Sequence, residues 1–359
     1  MSGIGAEALV GSGSTAEPVP LQPRRAGPRQ MLAALDLGTN NCRLLVARPN
    51  GGGFRVVDAF SRIVRLGEGL SATGQLSQAA MDRTISALKI CADKMRRRGV
   101  THARSVATEA CRRAGNCTSF VERVRQETGI EIEIISCREE AELAFNGCAP
   151  LLDTAGARAV VFDIGGGSTE LGWLAVERGR MPRLAGWVSV PLGVVTLTER
   201  YGGDRITPEI YEAMVREVSA HLASFEAAHG IAAEVARGAV QMLGTSGTVT
   251  TLAGVHLGLR RYERNVIDGC HLEFGAIREV SRMLAGMDCA ARAASPCIGP
   301  ERADLVVAGC AILEAICTRW PVGRLRVADR GVREGILFAL LARTRRERTA
   351  GMTTGCRSS

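Results

Sequence analysis

The chain has 359 residues, of which 46% are hydrophobic and only 4% are aromatic, and its formal net charge is +8. This length suits two packed domains of ordinary size, and no apolar run approaches the ~20 residues that a membrane-spanning helix needs. Nearly all the positive charge is arginine, whose planar guanidinium matches phosphate oxygens, so a polyanionic partner is favoured. No helix-turn-helix, RNA-recognition or zinc-finger signature indicates nucleic acid.

Strands and helices alternate along the chain. Residues 1–30 are rich in Gly, Ser, Pro and Arg and lack an apolar core, so we interpret them as a disordered leader. Buried apolar runs predict strands, and amphipathic stretches ending at Gly or at basic residues predict helices. The predicted strands are 31–37, 42–47, 103–107, 130–135, 159–162, 170–176, 240–243 and 325–328. The predicted helices are 78–97, 118–128, 138–145, 208–229, 272–284, 300–319 and 335–344. This alternation predicts layered sheets with helices outside.

One strand–turn–strand design occurs twice. The first copy has Asp36 and Gly38 before a polar turn, and the second has Asp163 before the turn at residues 164–169. An internal repeat of this kind indicates two related lobes that face each other. Chance similarity between two glycine-rich hairpins is the alternative explanation.

The second copy contains the strongest candidate for an anion site. Three successive glycines at residues 165–167 let backbone N–H groups approach a phosphate closely, and Ser168 adds a hydroxyl. Asp163 and Glu170 bracket the loop with carboxylates, the oxygen ligands that Mg²⁺ prefers. A purely structural hairpin would show the same pattern, so this loop alone leaves both interpretations open.

A third loop, residues 244–248, lies between an apolar strand and the start of a helix. Gly, Ser and Thr at a helix N-terminus make an anion-binding arrangement. No Lys follows the second glycine, so it is not a Walker A loop, and the glycine spacing of a dinucleotide fingerprint is missing.

Taken together, these segments resemble the exopolyphosphatase and guanosine pentaphosphate phosphohydrolase family, of the superfamily of actin, sugar kinases and Hsp70. The resemblance runs from Leu32 to about Leu341. It is carried by residues 36–43, 65–70, 107–112, 135–141, 163–170, 244–248 and 331–335. Departures include Thr39 and Asn41 where Ser is commoner. The chain resembles the short, two-domain form of the family.

The resemblance implies an α/β fold of two actin-like (ribonuclease H-like) lobes of mixed sheet flanked by helices, with an active-site cleft between them. We expect an N-terminal lobe at residues 31–144, a C-terminal lobe at residues 145–345 and a flexible basic tail at residues 346–359.

The resemblance also implies an enzyme, an exopolyphosphatase that uses Mg²⁺, or Mn²⁺ as the alternative ion, to hydrolyse the terminal phosphate of inorganic polyphosphate. Hydrolysis of guanosine pentaphosphate uses the same parts and stays open. An actin-like ATP-binding protein or kinase, or a non-catalytic sensor of polyphosphate or alarmones, is the alternative of another class. We expect a cytoplasmic protein with reduced cysteines and no membrane partner, and a homodimer stays open.

For the site, the resemblance makes Glu140 the residue that orients and deprotonates the attacking water. Consecutive helix positions point about 100° apart, so only one of Glu139 and Glu140 should face the cleft, and we favour Glu140. Asp163 and Glu170 are the expected metal ligands. The expected phosphate-binding residues are Gly38, Thr39, Asn40, Arg43, Arg65, Arg112, Gly165, Gly166, Gly167, Ser168, Gly244, Ser246 and Gly247.

Overall fold

The computed structural model describes residues 30–354 apart from residues 52, 156, 179 and 181, with side chains up to residue 345. The predicted leader therefore lies outside the described residues, except for Gln30. The described chain forms two mixed sheets, of five and six strands, with helices packed against them. This arrangement confirms the predicted α/β fold of two lobes. No helix in the described part combines the length and the apolar character needed to cross a bilayer.

The first sheet has the strand order β3-β2-β1-β4-β5. Its strands are β1 (Leu32–Leu37), β2 (Asn41–Asn50), β3 (Gly53–Ile63), β4 (His102–Ala107) and β5 (Glu133–Ile134). The strands β1, β2 and β3 form an antiparallel meander, whereas β4 runs parallel to β1 and β5 parallel to β4. The central strand β1 is a nearly unbroken apolar run because helices cover the sheet on both faces.

The helices of this half are α1 (Leu70–Thr73), α2 (Gln78–Arg97), α3 (Glu109–Arg113), α4 (Cys117–Thr128) and α5 (Cys137–Cys148). Helix α2 begins where the side chain of Ser77 accepts a hydrogen bond from the amide of Ala80, and its last turn is basic, which suits the negative end of the helix dipole. Its buried face carries Ile85, Leu88 and Cys91 onto the first sheet.

The second sheet has the strand order β10-β11-β9-β6-β7-β8. Its strands are β6 (Arg158–Ile164), β7 (Thr169–Ala175), β8 (Arg183–Val190), β9 (Val240–Thr245), β10 (His271–Glu273) and β11 (Arg324–Ala328). The accompanying helices are α6 (Val194–Tyr201), α7 (Pro208–His229), α8 (Ile231–Ala236), α9 (Gly247–His256), α10 (Arg264–Ile267), α11 (Phe274–Ala285), α12 (Cys289–Ala293), α13 (Val306–Arg319) and α14 (Val332–Thr354). Strands β6, β7 and β8 repeat the antiparallel meander, and β9 runs parallel to β6 as β4 does to β1. The predicted internal repeat is therefore a repeat of topology.

Two helices join the lobes, because each packs against the sheet of the opposite lobe. Helix α5 packs against β6, β7 and β8, and α14 packs against β1, β2, β3 and β4. A Cβ at Gly335 would overlap the carbonyl of Leu143, and a Cβ at Gly147 would overlap that of Gly331, so glycine lets the two backbones touch. The boundary expected at residues 144–145 falls inside α5, which is one continuous helix. Helix α14 also continues through Thr354, into the segment that we expected to be a flexible tail from residue 346.

Candidate active site

The loops that follow β1, β6 and β9 meet in one cleft between the sheets. Parallel strands β1 and β4 in one lobe, and β6 and β9 in the other, all point their carboxyl ends toward it. The predicted site residues that line this cleft are Gly38, Thr39, Asn40, Arg43, Glu140, Asp163, Gly165, Gly166, Gly167, Ser168, Ser246 and Gly247.

The first loop is held from behind by the segment after β3. The carbonyl of Asn40 accepts hydrogen bonds from the amides of Val64 (2.8 Å) and Arg65 (3.0 Å). The carbonyl of Thr39 accepts one from Gly67 (2.9 Å). These bonds turn the loop carbonyls away from the cleft. The side of the loop that faces the cleft is therefore suited to anions.

The second loop is fixed in a similar way by the start of α6. The amide of Val194 donates to the carbonyl of Gly165 (3.0 Å), and that of Val195 donates to Gly166 (2.8 Å). A Cβ at Gly193 would overlap the backbone of Gly166, so this close approach requires glycine.

The third loop ends at the N-terminus of α9. Ser246 caps the helix by accepting a hydrogen bond from the amide of Val249 (3.2 Å), and it does so with a positive φ of 143°, which is uncommon for a residue with a Cβ. Strained backbone of this kind often lies at functional sites. The positive end of the helix dipole therefore faces the cleft.

Two arginines converge on this helix end. A Cβ placed at Gly247 would lie 3.5 Å from Nη1 of Arg302 and 3.8 Å from Nη2 of Arg43. The side chain of Arg43 makes no hydrogen bond or ion pair within the described part of the chain, and the side chain of Arg302 donates only to the hydroxyl of Thr251 there (3.3 Å). Burial and the charge of Arg43 lower the pKa of Arg302. Two facing cations beside a helix N-terminus form a strong binding site for an anion.

Arg302 was missed by the sequence analysis. It lies in the segment before α13 that we predicted to be helical, and no motif in the sequence surrounds it. Only the folded chain brings it opposite Arg43, which is separated from it by most of the chain length.

Two aspartates face the cleft from the two lobes. Asp36 and Asp163 line it, and neither carboxylate accepts a hydrogen bond among the described residues. Burial raises the pKa of Asp163 to about 6, with Asp36 adding to the effect and Arg43 opposing it. Burial likewise raises the pKa of Asp36. Partly buried carboxylates that accept no hydrogen bond favour a bound cation. Asp36 belongs to the repeated motif, but the sequence analysis gave it no role.

Glu170 does not line the cleft. It is 2% exposed, and its Oε1 accepts hydrogen bonds from the hydroxyls of Ser168 (2.7 Å) and Ser189 (3.0 Å). Burial raises its pKa to about 7, although the hydrogen bond from Ser168 opposes this. Its negative charge thus lies directly behind Ser168, one layer from the cleft.

Glu140 reaches the cleft because α5 starts beside it. Ser136 caps the helix by accepting a hydrogen bond from the amide of Glu139 (3.1 Å), which sets the orientation of the first turn. Glu140 then faces the cleft, whereas the side chain of Glu139 pairs with Arg104 (2.5 Å) at the surface. Burial raises the pKa of Glu140 well above its usual value, the charge of Glu170 raises it further, and Arg112 opposes both.

The three remaining residues that we expected to bind phosphate do not line the cleft. Arg65 points away from the cleft and forms two hydrogen bonds with Asp304 (2.9 and 3.1 Å), so it joins the lobes instead. Gly244 lies inside β9, where a Cβ would contact the ring of Phe162, so its small size serves packing. Arg112 does not line the cleft, because Glu140 and Glu109 bind its guanidinium.

A second cavity adjoins the cleft and shares Asp36, Arg43, Asp163 and Arg302 with it. It adds arginines and one aromatic side chain, namely Arg264, Arg330, Arg333 and Tyr262. Arg264 and Arg330 are paired with acidic side chains. Arg333 has no such ion pair in the described part, and burial lowers its pKa. The cavity therefore continues the positive charge of the cleft away from Glu140.

Comparison with known proteins gives consistent matches. The model of the Ppx/GppA phosphatase family matches residues 45–344. Exopolyphosphatase 2 of Mycobacterium tuberculosis is 33% identical over 323 residues, which are 86% of this chain and 98% of that relative.

Solved structures agree over the same part of the chain. The crystal structure of the Aquifex aeolicus Ppx/GppA family member superposes with a TM-score of 0.73 at 27% identity, covering 88% of this chain and 99% of that one. An exopolyphosphatase from Cytophaga hutchinsonii superposes with a TM-score of 0.79 at 23% identity, covering 87% and 98%, and this likeness supports the fold.

Proposed function

Because the chain belongs to the Ppx/GppA phosphatase family, we propose that it is an exopolyphosphatase, which hydrolyses the terminal phosphate of inorganic polyphosphate. The observation that carries this proposal is the pairing of a buried, cleft-facing Glu140 with a cleft that offers two arginines and a helix N-terminus to an anion. The name of the M. tuberculosis relative supports the same substrate.

Phosphoryl transfer to water depends mainly on positioning and on charge neutralisation. In this proposal Arg43, Arg302 and the amides at the start of α9 bind the terminal phosphate. The backbone of the two glycine loops, at residues 38–40 and 165–168, encloses it from both lobes. Arg333 and the second cavity take the phosphates that follow, which suits a chain substrate.

Glu140 then orients the attacking water and accepts its proton. A pKa raised by burial and by Glu170 makes this carboxylate a better base near neutral pH than an exposed glutamate. Arg112 holds Glu140 through a hydrogen bond of 2.8 Å, which fixes the direction in which the carboxylate points. The proton leaves through the cleft, which is open to solvent.

We further propose Mg²⁺, with Mn²⁺ as the alternative ion, as the cofactor. Among the described residues no three His, Cys, Asp or Glu side chains cluster as a metal cage. Mg²⁺ usually keeps its waters and uses one or two carboxylates plus substrate phosphates. Asp163 is partly buried and its carboxylate accepts no hydrogen bond from the described residues, so it fits that role, and Glu170 adds negative charge behind it. The ion would neutralise charge on the phosphate oxygens.

Hydrolysis of guanosine pentaphosphate is the second candidate, because Tyr262 at the second cavity offers an aromatic surface to a base. Phosphate release from polyphosphate and from guanosine pentaphosphate at equal concentrations separates the two. A cytoplasmic location belongs to this proposal as well, and homodimerisation stays an expectation.

The test is phosphate release from long-chain polyphosphate with Mg²⁺, comparing the intact protein with Glu140→Gln. We expect the variant to lose at least about 100-fold in kcat, or about 2.7 kcal/mol. Glu139→Gln is the matched control, because Glu139 lies next in sequence but pairs with Arg104 outside the cleft; it should stay within about twofold. Equal activity of intact protein and Glu140→Gln would refute the role of Glu140, and an intact protein without activity would refute the substrate.

A further inference from the structure

Three side chains of alternating charge form a triad at the wall of the cleft. Arg112 lies between Glu109 and Glu140. Its Nη2 is 2.9 Å from Oε2 of Glu109, and its Nη1 is 2.8 Å from Oε2 of Glu140. Each of the three side chains is only 15% exposed, so their charges are weakly screened by water.

The guanidinium of Arg112 is almost fully bound. Nη1 donates to Glu140 and to the carbonyl of Ile135 (2.9 Å), while Nε (3.3 Å) and Nη2 (2.9 Å) donate to Glu109. Four of the five N–H groups of an arginine are thereby used. Glu109 alone binds the edge of the guanidinium that faces away from Glu140, so it determines how the plane of that group is oriented.

Glu109 is itself held between the lobes. It is the first residue of α3 and lines the cleft. A Cβ at Gly167 would lie 2.8 Å from Cγ of Glu109, so its side chain packs directly against the glycine loop of the second lobe. Its other oxygen, Oε1, lies 4.0 Å from Nε of Arg113. Contacts with both lobes leave the side chain little freedom.

We propose that Glu109 is a positioning residue for hydrolysis, which acts through Arg112 to hold Glu140 toward the attacking water. This inference rests on the proposed function, because it takes Glu140 as the base. Glu109 fixes the plane of the guanidinium. It also shares the single positive charge of Arg112, so that Glu140 is not neutralised in a one-to-one ion pair and keeps its ability to accept a proton.

The test is a double-mutant cycle on polyphosphate hydrolysis with Glu109→Gln, Arg112→Gln and the double variant. Gln keeps the volume that packs on Gly167 and removes only the charge. We expect Glu109→Gln to lower kcat about tenfold with KM within twofold, and the double variant to match Arg112→Gln within twofold, because Glu109 acts through Arg112. Glu109→Asp, which keeps the charge, should recover part of the rate.

Three results would overturn the proposal. An unchanged kcat would show that Glu109 positions nothing. A raised KM at constant kcat would make Glu109 a substrate-binding residue. Effects that multiply in the double variant would mean that the two residues act independently. Glu142→Gln is the control, because Glu142 lies on the same helix as Glu140 but is exposed and pairs with Arg138.

A second readout does not depend on activity. Crystal structures without substrate should show the contact between Arg112 and Glu140 in the intact protein and a rotated guanidinium in Glu109→Met, which keeps a similar volume but lacks the oxygen that accepts from Nε and Nη2 of Arg112. An identical guanidinium in both would overturn the proposal. If the intact protein releases no phosphate from polyphosphate or guanosine pentaphosphate, the proposed function fails, while the crystal structures still decide whether Glu109 orients Arg112.

Discussion

The hairpin of the first lobe and that of the second place different charges at one equivalent position. Across the β1–β2 hairpin Asp36 pairs in register with Arg43, and across the β6–β7 hairpin Asp163 pairs with Glu170. In both cases the partner lies seven residues after the aspartate. Arg43 extends into the cleft and has no ion pair with any residue that the structure describes, whereas Glu170 is buried and hydrogen-bonded by two serines.

This difference gives the cleft an electrostatic polarity. The same topology, used twice, places a cationic side chain, Arg43, in the first lobe and a buried carboxylate, Glu170, in the second. We therefore expect a phosphate to bind on the Arg43 side and a divalent cation on the Asp163 side. Glu140, the proposed base, comes from α5, which packs on the second sheet; burial raises its pKa, and the charge of Glu170 adds to the effect.

Removing the charge of the first hairpin should have the largest effect. We expect Arg43→Gln to lower kcat/KM for polyphosphate by about 100- to 1,000-fold. The variant lacks the guanidinium near Gly247 that neutralises charge on the phosphate in the proposed mechanism. Arg48→Gln is the matched control, since Arg48 lies on the same strand but is exposed. Steady-state kinetics of both variants measure this, and equal losses in the two would contradict the assignment.

Removing the negative charge of the second hairpin should weaken the binding of Mg²⁺. Glu170→Gln keeps an oxygen that can accept from Ser168 and Ser189 but lacks the negative charge. We expect about a tenfold higher Mg²⁺ concentration for half-maximal activity, because the attraction for the cation falls. Titration of activity with Mg²⁺ measures this, and an unchanged midpoint would show that Glu170 does not act on the metal.

The same two acids predict how stability depends on pH without Mg²⁺. The pKa values of Asp163 and Glu170 are raised to about 6 and about 7, so the folded state holds these protons more tightly than the unfolded state does. Between about pH 4 and pH 7 the folded state binds more protons, and stability falls as pH rises through that window.

We therefore expect the melting temperature of the metal-free protein to contain a component that decreases from pH 5 to pH 8. This component should be smaller in Glu170→Gln, and Mg²⁺ should offset it at pH 8. Calorimetry of both proteins measures the difference between their slopes, and identical slopes would contradict a raised pKa of Glu170 in the folded state.

The smallest effect should come from the ion pair that joins the two lobes. Arg65 pairs with Asp304 across the lobes, and both are about a third exposed, so the pair is partly screened. We expect Asp304→Asn to raise KM for polyphosphate two- to fivefold with kcat within twofold. A large fall in kcat instead would contradict a purely structural role for this ion pair.

Much of this fold can be read from the sequence. The helices at residues 78–97 and 208–229 have the predicted bounds, because their caps and apolar faces agree with each other. The edge strands β3 and β8 escaped prediction, since both are only partly buried and lack a clear alternation of polar and apolar residues. The predicted helix at residues 272–284 begins with strand β10, whose three residues are too short to give a periodic signal.

The site was predictable where a loop carries it and not where distant residues converge. The glycine loops follow from local motifs, and Glu140 follows from the resemblance to the family. Arg302 and Glu109 depend on tertiary contacts with Gly247 and Gly167, which no local pattern encodes. Arg65 was assigned to phosphate by its charge, whereas Asp304, distant in sequence, decides where its guanidinium points.

The polarity of the cleft is tested most directly by a crystal structure of the slow variant Glu140→Gln with tripolyphosphate and Mn²⁺, in which the anomalous signal of manganese gives its position. We predict that the manganese lies beside Asp163 and that the terminal phosphate contacts Arg43 and Arg302. Manganese bound away from Asp163, or a terminal phosphate that contacts neither arginine, would contradict it.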